Sequence, residues 1–464
     1  MQFIENRTFD EVEIGATADV SRALTKQDIQ RLAIVSGDVN PAHMDATYRT
    51  SDSFQEVVTH GIWSATIISS LLGTELPGPG TRYVKQDLAF HKPFVVGDTL
   101  HLHLRVTAKD AATHTLTMDC SCKNQRDEIV FDGSVDVIAP TEKIRRPRVV
   151  LPDEETHPPG TCFGEWIERT RDIPAVRTVV VHPCDELSLG GAMEAAKRGM
   201  IVPILVGPAE KIESTAKTSG LDIAGIEIVD VPHSHAAAHR AVELVRAGRA
   251  DVLMKGKLHT DELMEPVVDG KLGLRTERRM SHVFALDVPH YPKPLFVTDA
   301  ALNIFPDLDT KRDIVQNAID LAHTLGLDRP KVAILSAMET VYSKVPSTIE
   351  AAALCKMLDR GQITGGVLDG PLGFDNAVSK TAAAAKGITS EVAGDADILV
   401  VPDLEAGNMI AKQLVYLAGA EAAGIVLGAR IPIVLTSRAD GTAARLASTA
   451  MAQLFAARTP SLPV

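Results

Sequence analysis

The sequence is poor in the features that mark several classes of protein. Its 464 residues contain five cysteines, none of them in a C-x-x-C pair, which predicts neither a disulfide framework nor a zinc site. No apolar run approaches the ~20 residues that a membrane-spanning helix needs. The N-terminal stretch MQFIENRTFDEVEIG carries charges throughout and lacks the apolar core of a signal peptide. These absences predict a cytoplasmic protein with reduced thiols.

Excess positive charge and nucleotide-binding fingerprints are also missing. The formal net charge is −13, so the chain lacks the basic surface that binding to a phosphate backbone requires, and nucleic acid is not an expected partner. No P-loop or dinucleotide fingerprint is present to indicate ATP or NAD. An acidic protein that binds a small anion must gather a few cations or helix N-termini in one pocket.

Length and composition predict more than one folded domain. Hydrophobic residues make up 45% of the chain and charged residues 23%, which is ordinary for globular proteins. The clearest break is PTEKIRRPRVVLPDEETHPPG, residues 140–160, which is rich in proline and in alternating charge. We therefore predict one domain over residues 1–140, a linker over 141–164 and a second domain over 165–464.

The two predicted domains differ in their apolar patterns. In the first, GIWSATIISSLLG (61–73) has helix length and is apolar on nearly all sides, and alternating strands follow over residues 81–139; this predicts an α+β domain with a sheet around a helix. In the second, short apolar strands such as TVVVH, VPILVG, KVAILSA, ADILVVPD and PIVLTS alternate with stretches of helical pattern, such as residues 310–327 and 406–424. This alternation predicts an α/β domain with mainly parallel sheets covered on both faces.

The first candidate site lies in SGDVNPAH, residues 36–43. Asp38 and His43 flank Asn40-Pro41, and the residue before a proline is driven out of the helical region, so an irregular loop is expected here. From spacing alone two interpretations stay open. Asp38 and His43 form a catalytic pair, or Asp38 or Asn40 caps the next helix and His43 is an ordinary surface histidine.

The order and spacing of SGDVNPAHMD, VTHGIWSATIISSLLG and PGPGTRYVKQDLAFHKPFVVGDTL over about residues 8–140 resemble the MaoC-like (R)-specific enoyl-CoA hydratases. The resemblance implies a hot-dog fold, in which Asp38 and His43 hold and activate a water molecule. It also implies that the thioester carbonyl binds the backbone N–H of Gly61. Adding water to an unsaturated thioester needs a base, an acid and donors for the enolate oxygen, and these three residues offer them without a metal.

The second candidate site begins in PIVLTSRAD, where a predicted strand runs into a helix. Ser437 and Arg438 fall at that junction, which is where open α/β sheets usually bind ligands. Arg438 can hold a phosphate with two hydrogen bonds. Asp440 is either a base or a helix cap, and spacing alone favours the cap.

Further candidate substrate contacts lie at other strand-to-helix junctions and in TDAALNI. Each junction alone resembles an ordinary loop, and for the two lysines solvated surface side chains are the alternative to anion contacts. The candidates are Lys255, Gly256, Lys257, Asp299, Asn303, Asp403, Gly407 and Asn408.

Taken together, MKGK, TDAALNI, DGPLGFDNA and SRAD resemble the phosphate acetyltransferase and phosphate butyryltransferase family over about residues 165–460, and MKGK and TDAALNI lean toward the butyryl branch. The resemblance implies a two-part (two-subdomain) α/β fold with the site in the cleft between the parts. It also implies conversion of acyl-CoA and phosphate to acyl phosphate and CoA, with Arg438 on phosphate and Ser437 beside the departing thiolate. It departs at one position: acetyltransferases carry an aspartate as proposed base where this chain has Ala444, and Asp440 is a possible substitute.

These observations predict a bifunctional enzyme that acts on CoA thioesters. The expected partners are CoA thioesters and inorganic phosphate, with no covalently bound cofactor, no metal, no nucleic acid and no membrane; the chain is expected to form a homo-oligomer, a dimer or higher. Two alternatives stay open. One half is a non-catalytic CoA-binding or dimerisation module, or the second half is a metal-dependent decarboxylating dehydrogenase, which has a related two-part fold.

Overall fold

The computed structural model describes residues 3–44, 61–148, 161–436 and 440–458. The chain divides into two compact units, Met1–Asp153 and Glu154–Val464. Among the described residues no helix combines the length and the apolarity needed to cross a membrane.

The N-terminal unit contains mostly strands. Its strands are β1 (Phe3–Glu5), β2 (Thr17–Ala23), β3 (Arg82–Phe90), β4 (Thr99–Asp110), β5 (Thr115–Asn124), β6 (Ile129–Ile138) and β7 (Arg145–Pro147). Its helices are α1 (Lys26–Ser36), α2 (Pro41–Met44) and α3 (Gly61–Thr74).

Five of these strands form an antiparallel sheet in the order β2-β4-β5-β6-β3. Alternate side chains of β4, from Leu100 to Val106, point inward and are buried. They share one core with Ile68 and Leu72 of α3. The α+β prediction of a sheet packed on a long helix is therefore confirmed.

The long helix α3 is less enclosed than its composition predicts. Ile62 is 52% exposed, and Thr66 and Ser70 also face outward, because the sheet covers one side of the helix. Thr66, Ser69 and Ser70 lie on the open side, whereas Ser64 and Ala65 are buried.

The predicted linker is partly folded. Strand β7 lies within it and pairs antiparallel with β1, with Ile4 opposite Arg146, so the N-terminal unit continues past residue 140. The first helix of the C-terminal unit begins at Thr161, before the predicted boundary at 165. Residues 149–160, the rest of the predicted linker, lie outside the described residues.

The C-terminal unit alternates strands and helices. Its strands are β8 (Val176–Val181), β9 (Ile201–Gly207), β10 (Glu227–Asp230), β11 (Val252–Lys255), β12 (Ser281–Asp287), β13 (Leu295–Thr298), β14 (Lys331–Leu335), β15 (Val367–Leu372), β16 (Ile398–Val400), β17 (Glu421–Leu427) and β18 (Ile433–Val434). Its helices are α4 (Thr161–Arg169), α5 (Glu186–Lys197), α6 (Ala209–Thr218), α7 (Ser234–Arg246), α8 (Thr260–Val267), α9 (Leu308–Thr324), α10 (Pro346–Asp359), α11 (Phe374–Val378), α12 (Lys380–Ala385), α13 (Leu404–Ala418) and α14 (Thr442–Arg458).

These strands form one sheet in the order β10-β9-β8-β11-β18-β17-β12-β13-β16-β14-β15. Within the described residues seven of its ten pairings are parallel, and the three antiparallel ones join β18, β17, β12 and β13 in the middle. Helices cover both faces. In β8, Val180 packs in the core on one face while Val179 and Val181 pack in the core on the other. The prediction of a mainly parallel α/β domain is confirmed.

One predicted helix is divided in the structure. Residues 406–424 were predicted as helical, but α13 ends at Ala418, where Gly419 adopts a left-handed conformation (φ 69°) and caps the helix. The chain then enters β17, whose residues pair with β12 from Asp287 opposite Glu421 to Ser281 opposite Leu427. The alanine-rich segment EAAG carries no clear period, which is why its strand was missed.

Candidate active sites

The segment that carries Asp38 and His43 follows a well-capped helix. Helix α1 begins after a capping box formed by Thr25 and Asp28. It ends at Ser36, and Gly37 turns the chain away with a left-handed conformation (φ 75°). The helix therefore fixes where the loop begins.

Local hydrogen bonds then shape the loop. The carboxylate of Asp38 accepts from the backbone N–H of Asn40 (3.2 Å), and the backbone N–H of His43 donates to the carbonyl of Asn40 (2.9 Å). Asp38 is exposed, and His43, in the short helix α2, is half-buried. The structure thus places both predicted residues on one compact turn.

Gly61 is the first described residue of α3, since residues 45–60 lie outside the described part of the chain. It is exposed, and a Cβ atom added to it would lie 3.7 Å from the ring of Phe90. A side chain here would therefore occupy the space in front of an aromatic ring.

In the C-terminal unit, Lys255 is the last residue of β11, and Gly256 and Lys257 follow it directly. The N–H of Gly256 donates to the carbonyl of Val181 (2.9 Å), and the N–H of Lys257 donates to the carbonyl of His182 (2.8 Å). A Cβ atom on Gly256 would lie 2.7 Å from that His182 carbonyl and closer still to the carbonyl of Val181. Lys255 is buried and Lys257 is exposed, so the two predicted anion contacts differ in access to solvent.

Asp299 and Asn303 form a closed hydrogen-bonded turn after β13. Asp299 is 2% exposed, and its carboxylate accepts from the backbone N–H groups of Ala301 and Leu302 and from the side-chain amide of Asn303 (2.5 Å). Burial raises the pKa of Asp299, and these hydrogen bonds act in the opposite direction. Asn303 also donates to the carbonyl of Met280 (2.9 Å). These contacts shape the loop.

The junction before α13 packs on that same turn. Asp403 caps α13 by accepting from the N–H of Ala406 (2.9 Å). A Cβ atom on Gly407 would lie 2.8 Å from the carbonyl of Asp299, and the side chain of Asn408 donates to the carbonyl of Ala300 (3.3 Å). The structure therefore brings these two groups of predicted residues together.

The turn formed by Asp299 and Asn303, with the beginning of α13 packed on it, does not lie beside the segment around Asp440. Across the sheet Val434 pairs with Ile425, Ile425 with Val283, and Val283 with Thr298. Val434 and Thr298 thus lie at the same level, but their strands run in opposite directions. The chain after β18 and the chain after β13 leave the sheet toward opposite ends of the strands.

Ser437 and Arg438 lie outside the described residues, but the residues on both sides are held by Arg445 of α14. The guanidinium of Arg445 donates to the hydroxyl of Thr436 (2.9 Å) and to the main-chain carbonyl of Asp440 (3.2 Å). Arg445 is buried; desolvation lowers the pKa of its guanidinium, while Asp440 and Asp185 act in the opposite direction. The signal for this role in the sequence is an arginine near the beginning of an alanine-rich helix.

A cavity of about 290 Å³ lies beside Asp440. It is bordered by one central strand, by α13 and by the beginnings of β17 and α14. The lining residues are Phe284, Ala411, Lys412, Val415, Tyr416, Ala420, Glu421, Ala422, Asp440, Gly441, Ala443 and Ala444. Asp440, the possible base, and Ala444, at the position of the missing aspartate, thus line the same cavity.

Glu421 is a second carboxyl in this cavity and was not predicted. It is half-buried, and burial, followed by the neighbouring Asp287, raises its pKa. A carboxyl with a raised pKa in a cleft is a candidate acid or base. It was missed because residues 406–424 were predicted as helix, which hid the beginning of β17.

Thiol and metal chemistry find little support among the described residues. Burial raises the pKa of the Cys184 thiol to about 11 and that of Cys355 to about 12, which opposes formation of a reactive thiolate. No three His, Cys, Asp or Glu side chains converge there as a metal site would require.

Two protein families match the two units. Residues 233–453 match the family described as phosphate acetyl/butaryl transferase. Residues 10–124 match the family described as MaoC like domain.

Relatives of the C-terminal unit include enzymes for acetyl and for larger acyl groups. The phosphate acetyltransferase of Rhizobium meliloti is 67% identical over 287 residues, which cover 62% of this chain and 90% of the relative. The phosphate butyryltransferase of Clostridium acetobutylicum is 43% identical, over a match that covers 63% of this chain and 98% of the relative. The crystal structure of a branched-chain phosphotransacylase from Enterococcus faecalis V583 is 32% identical, with a TM-score of 0.53, over 60% of this chain and 99% of that one.

Proposed function

Because the chain belongs to the phosphate acetyl/butyryl transferase family and carries a MaoC-like domain before it, we propose a division of CoA-thioester chemistry between its two units. The C-terminal unit converts acyl-CoA and phosphate to acyl phosphate and CoA. The N-terminal unit hydrates enoyl-CoA to 3-hydroxyacyl-CoA. The observation that carries this conclusion is that the two family matches fall on two separately folded units.

In the hydratase, Asp38 and His43 share one water molecule. One of them takes a proton from the water as its oxygen attacks the β-carbon, and the other supplies a proton to the α-carbon, so the α,β double bond becomes a hydroxylated single bond. The short turn between the two side chains supports this assignment. The N–H of Gly61 stabilises the enolate oxygen, since the glycine lets the thioester come close.

In the transferase, a phosphate oxygen attacks the thioester carbonyl and the CoA thiolate leaves. Arg438 neutralises the phosphate and Ser437 stabilises the departing sulfur, while Lys257 contributes positive charge from the end of β11. The buried Arg445 supports this assignment, since its guanidinium donates to Thr436 and to the carbonyl of Asp440. These two residues lie before and after Ser437 and Arg438 in the sequence. Arg445 is thus a positioning residue.

The proton acceptor in the transferase is assigned to a carboxyl of the cavity. Asp440 is the first candidate, and Glu421 is the second because burial raises its pKa toward the working range of a base. A strong base is not essential here, since holding two reactants in position is worth roughly 7–11 kcal/mol in favourable cases.

The assembly proposed is a cytoplasmic homo-oligomer, a dimer or higher. Apolar side chains close to the Asp38 turn face outward: Ile34 is 82% exposed, Val35 85% and Val39 70%. Exposed apolar patches of this kind mark interaction sites. A second copy covering this patch would also shield the hydratase site from solvent.

The test measures CoA release from a panel of acyl-CoA thioesters with and without phosphate, together with hydration of crotonyl-CoA. We expect release that depends on phosphate and hydration in the same preparation. Release that ignores phosphate would contradict the transferase assignment. Absence of hydration would leave the N-terminal unit as a binding or dimerisation module.

A further inference from the structure

The cavity beside Asp440 has a lining that suits a short hydrocarbon chain. Five of its lining residues are alanines, and Phe284 and Val415 add larger apolar surfaces. Ala411 and Ala420 are buried, and Ala422 and Ala444 are half-buried. Small apolar side chains leave space and do not compete for hydrogen bonds, so the apolar part of this lining suits a hydrocarbon chain.

We infer that this cavity is the acyl-chain pocket of the transferase and that Ala444 limits the length of the chain. The inference rests on the proposed function. The substrate class is a short acyl group whose hydrocarbon chain is longer than that of acetyl. The inference gives Ala444 a specificity role that the proposed function does not assign.

The charge of the cavity argues against its binding the other end of CoA. Its charged residues are Glu421, Asp440 and Lys412, which together give an excess of negative charge. The nucleotide end of CoA carries several phosphate charges, and like charges repel strongly at short distance. The neutral acyl end of the thioester meets no such opposition.

The size of the cavity also indicates the acyl end of the thioester rather than the whole molecule. Pockets that hold a whole drug-sized ligand usually measure about 300–1,000 Å³. At about 290 Å³, this cavity suits a fragment of the thioester rather than the whole molecule.

Position 444 is the place where the pocket can be shortened. Ala444 lies in the first turn of α14 and lines the pocket together with Asp440, four residues earlier in the chain. A larger side chain there would take the volume that the second and later methylenes of the acyl chain occupy. An acetyl group lacks these methylenes, so the kcat/KM for acetyl-CoA would fall much less.

The experiment compares Ala444→Val and Ala444→Leu with the wild-type full chain. The kcat/KM for phosphate-dependent CoA release is measured with acetyl-, propionyl-, butyryl- and isobutyryl-CoA. We expect the butyryl-to-acetyl ratio to fall by roughly 10- to 200-fold in Ala444→Leu, which is the range that a single misfitted methylene produces, and to fall less in Ala444→Val.

A matched control adds the same leucine elsewhere. Ala384→Leu places it on an exposed position of helix α12, away from the cavity, and should leave the ratio unchanged. If Ala444→Leu does not fold, judged by its thermal unfolding, the ratio in Ala444→Val decides the question.

The outcomes separate the pocket from the proposed function. An active wild type whose ratio is unchanged in the Ala444 variants, or whose activity falls equally with every acyl group, overturns the pocket and leaves the transferase assignment standing. A wild type without phosphate-dependent release from any thioester overturns the proposed function, and the pocket inference with it.

Discussion

At the scale of single residues, the hydratase assignment predicts a selective loss of activity. Asp38→Asn and His43→Gln should each lower the rate of crotonyl-CoA hydration at least about a hundredfold, because positioned acid and base groups typically contribute 10²- to 10⁴-fold. Phosphate-dependent CoA release should be unchanged, since both residues belong to the other unit. Steady-state assays of both reactions on each variant measure the two effects.

Asp10→Asn is a matched control for this prediction, because Asp10 is another exposed aspartate of the same unit. It should keep wild-type hydration. Hydration at the wild-type rate in either Asp38→Asn or His43→Gln would refute the catalytic role of that residue.

The raised pKa of Glu421 predicts that the difference in stability between Glu421→Gln and the wild type depends on pH. A free glutamate titrates near pH 4.5, and burial raises the pKa of Glu421 in the folded protein. Its stabilising contribution is therefore complete below pH 4.5 and is lost as the pH rises through the raised value. Glu421→Gln does not titrate, so its free energy of unfolding relative to wild type should increase from pH 4 to pH 7.

Urea unfolding followed by tryptophan fluorescence measures this difference. The chain has two tryptophans, Trp63 in the N-terminal unit and Trp166 in the C-terminal unit, so a Trp63→Phe background isolates the unit that contains Glu421. Glu210→Gln, at an exposed position of α6, is the control. A difference between Glu421→Gln and wild type that stays constant with pH would contradict the assignment.

How far single residues could be predicted from the sequence depends on where their partners lie. Asp38 and His43 are close in sequence, and the pattern that contains them predicted an irregular loop; the structure has Asp38 in a loop and His43 in the short helix α2. Arg445 and Glu421 gain their roles from Thr436, Asp440 and Asp287, contacts that exist only after the strands have paired. Asp299 and Asn303 were predicted as substrate contacts, and the structure adds that they bind each other.

At the scale of elements, the close packing of the chain after β11 against the end of β8 leads to a further prediction. Gly256 allows the chain after β11 to lie against the carbonyls of Val181 and His182, and a methyl group has no space there. Gly256→Ala should lower the free energy of unfolding of the C-terminal unit by about 1–3 kcal/mol, the usual range for overpacking. It should also reduce transfer to phosphate while hydration continues, because Lys255 and Lys257 flank the shifted backbone.

Gly270→Ala serves as its control, since a Cβ atom there would meet nothing within 4 Å. Denaturant unfolding of both variants gives the comparison. A Gly256→Ala protein as stable as wild type would show that the backbone relaxes without loss, and the statement that a methyl group has no space beside the carbonyls of Val181 and His182 would then be wrong.

Elements with a strong pattern were predicted well, and those without one were not. Strand β4 alternates strictly, and α9 shows a helical period, so both were predicted within a few residues of their ends. Strand β17 is alanine-rich at its beginning, and its pairing with β12 determines its conformation. For α3, composition indicated burial but could not say that the sheet covers one side only.

At the scale of the whole molecule, the chain contains two units that each have their own hydrophobic core. The core of the N-terminal unit lies between the five-stranded sheet and α3, and the cores of the C-terminal unit lie on the two faces of its long sheet. The sequence indicated this division through the proline-rich segment, although the folded parts reach further into it than predicted on both sides.

Separate cores predict that each unit works without a covalent connection to the other. A protease site introduced between residues 153 and 154, the boundary of the two units, allows the chain to be cut after folding. We expect the kcat of hydration and the kcat of phosphate-dependent CoA release to be unchanged after cleavage. A second assay follows 3-hydroxybutyryl phosphate formed from crotonyl-CoA, because this product requires that the hydrated thioester reach the transferase. If the hydroxyacyl-CoA diffuses through solvent, this coupled rate also survives cleavage; a coupled rate that falls while both single rates stay constant would instead mean that the fusion transfers the thioester between its sites.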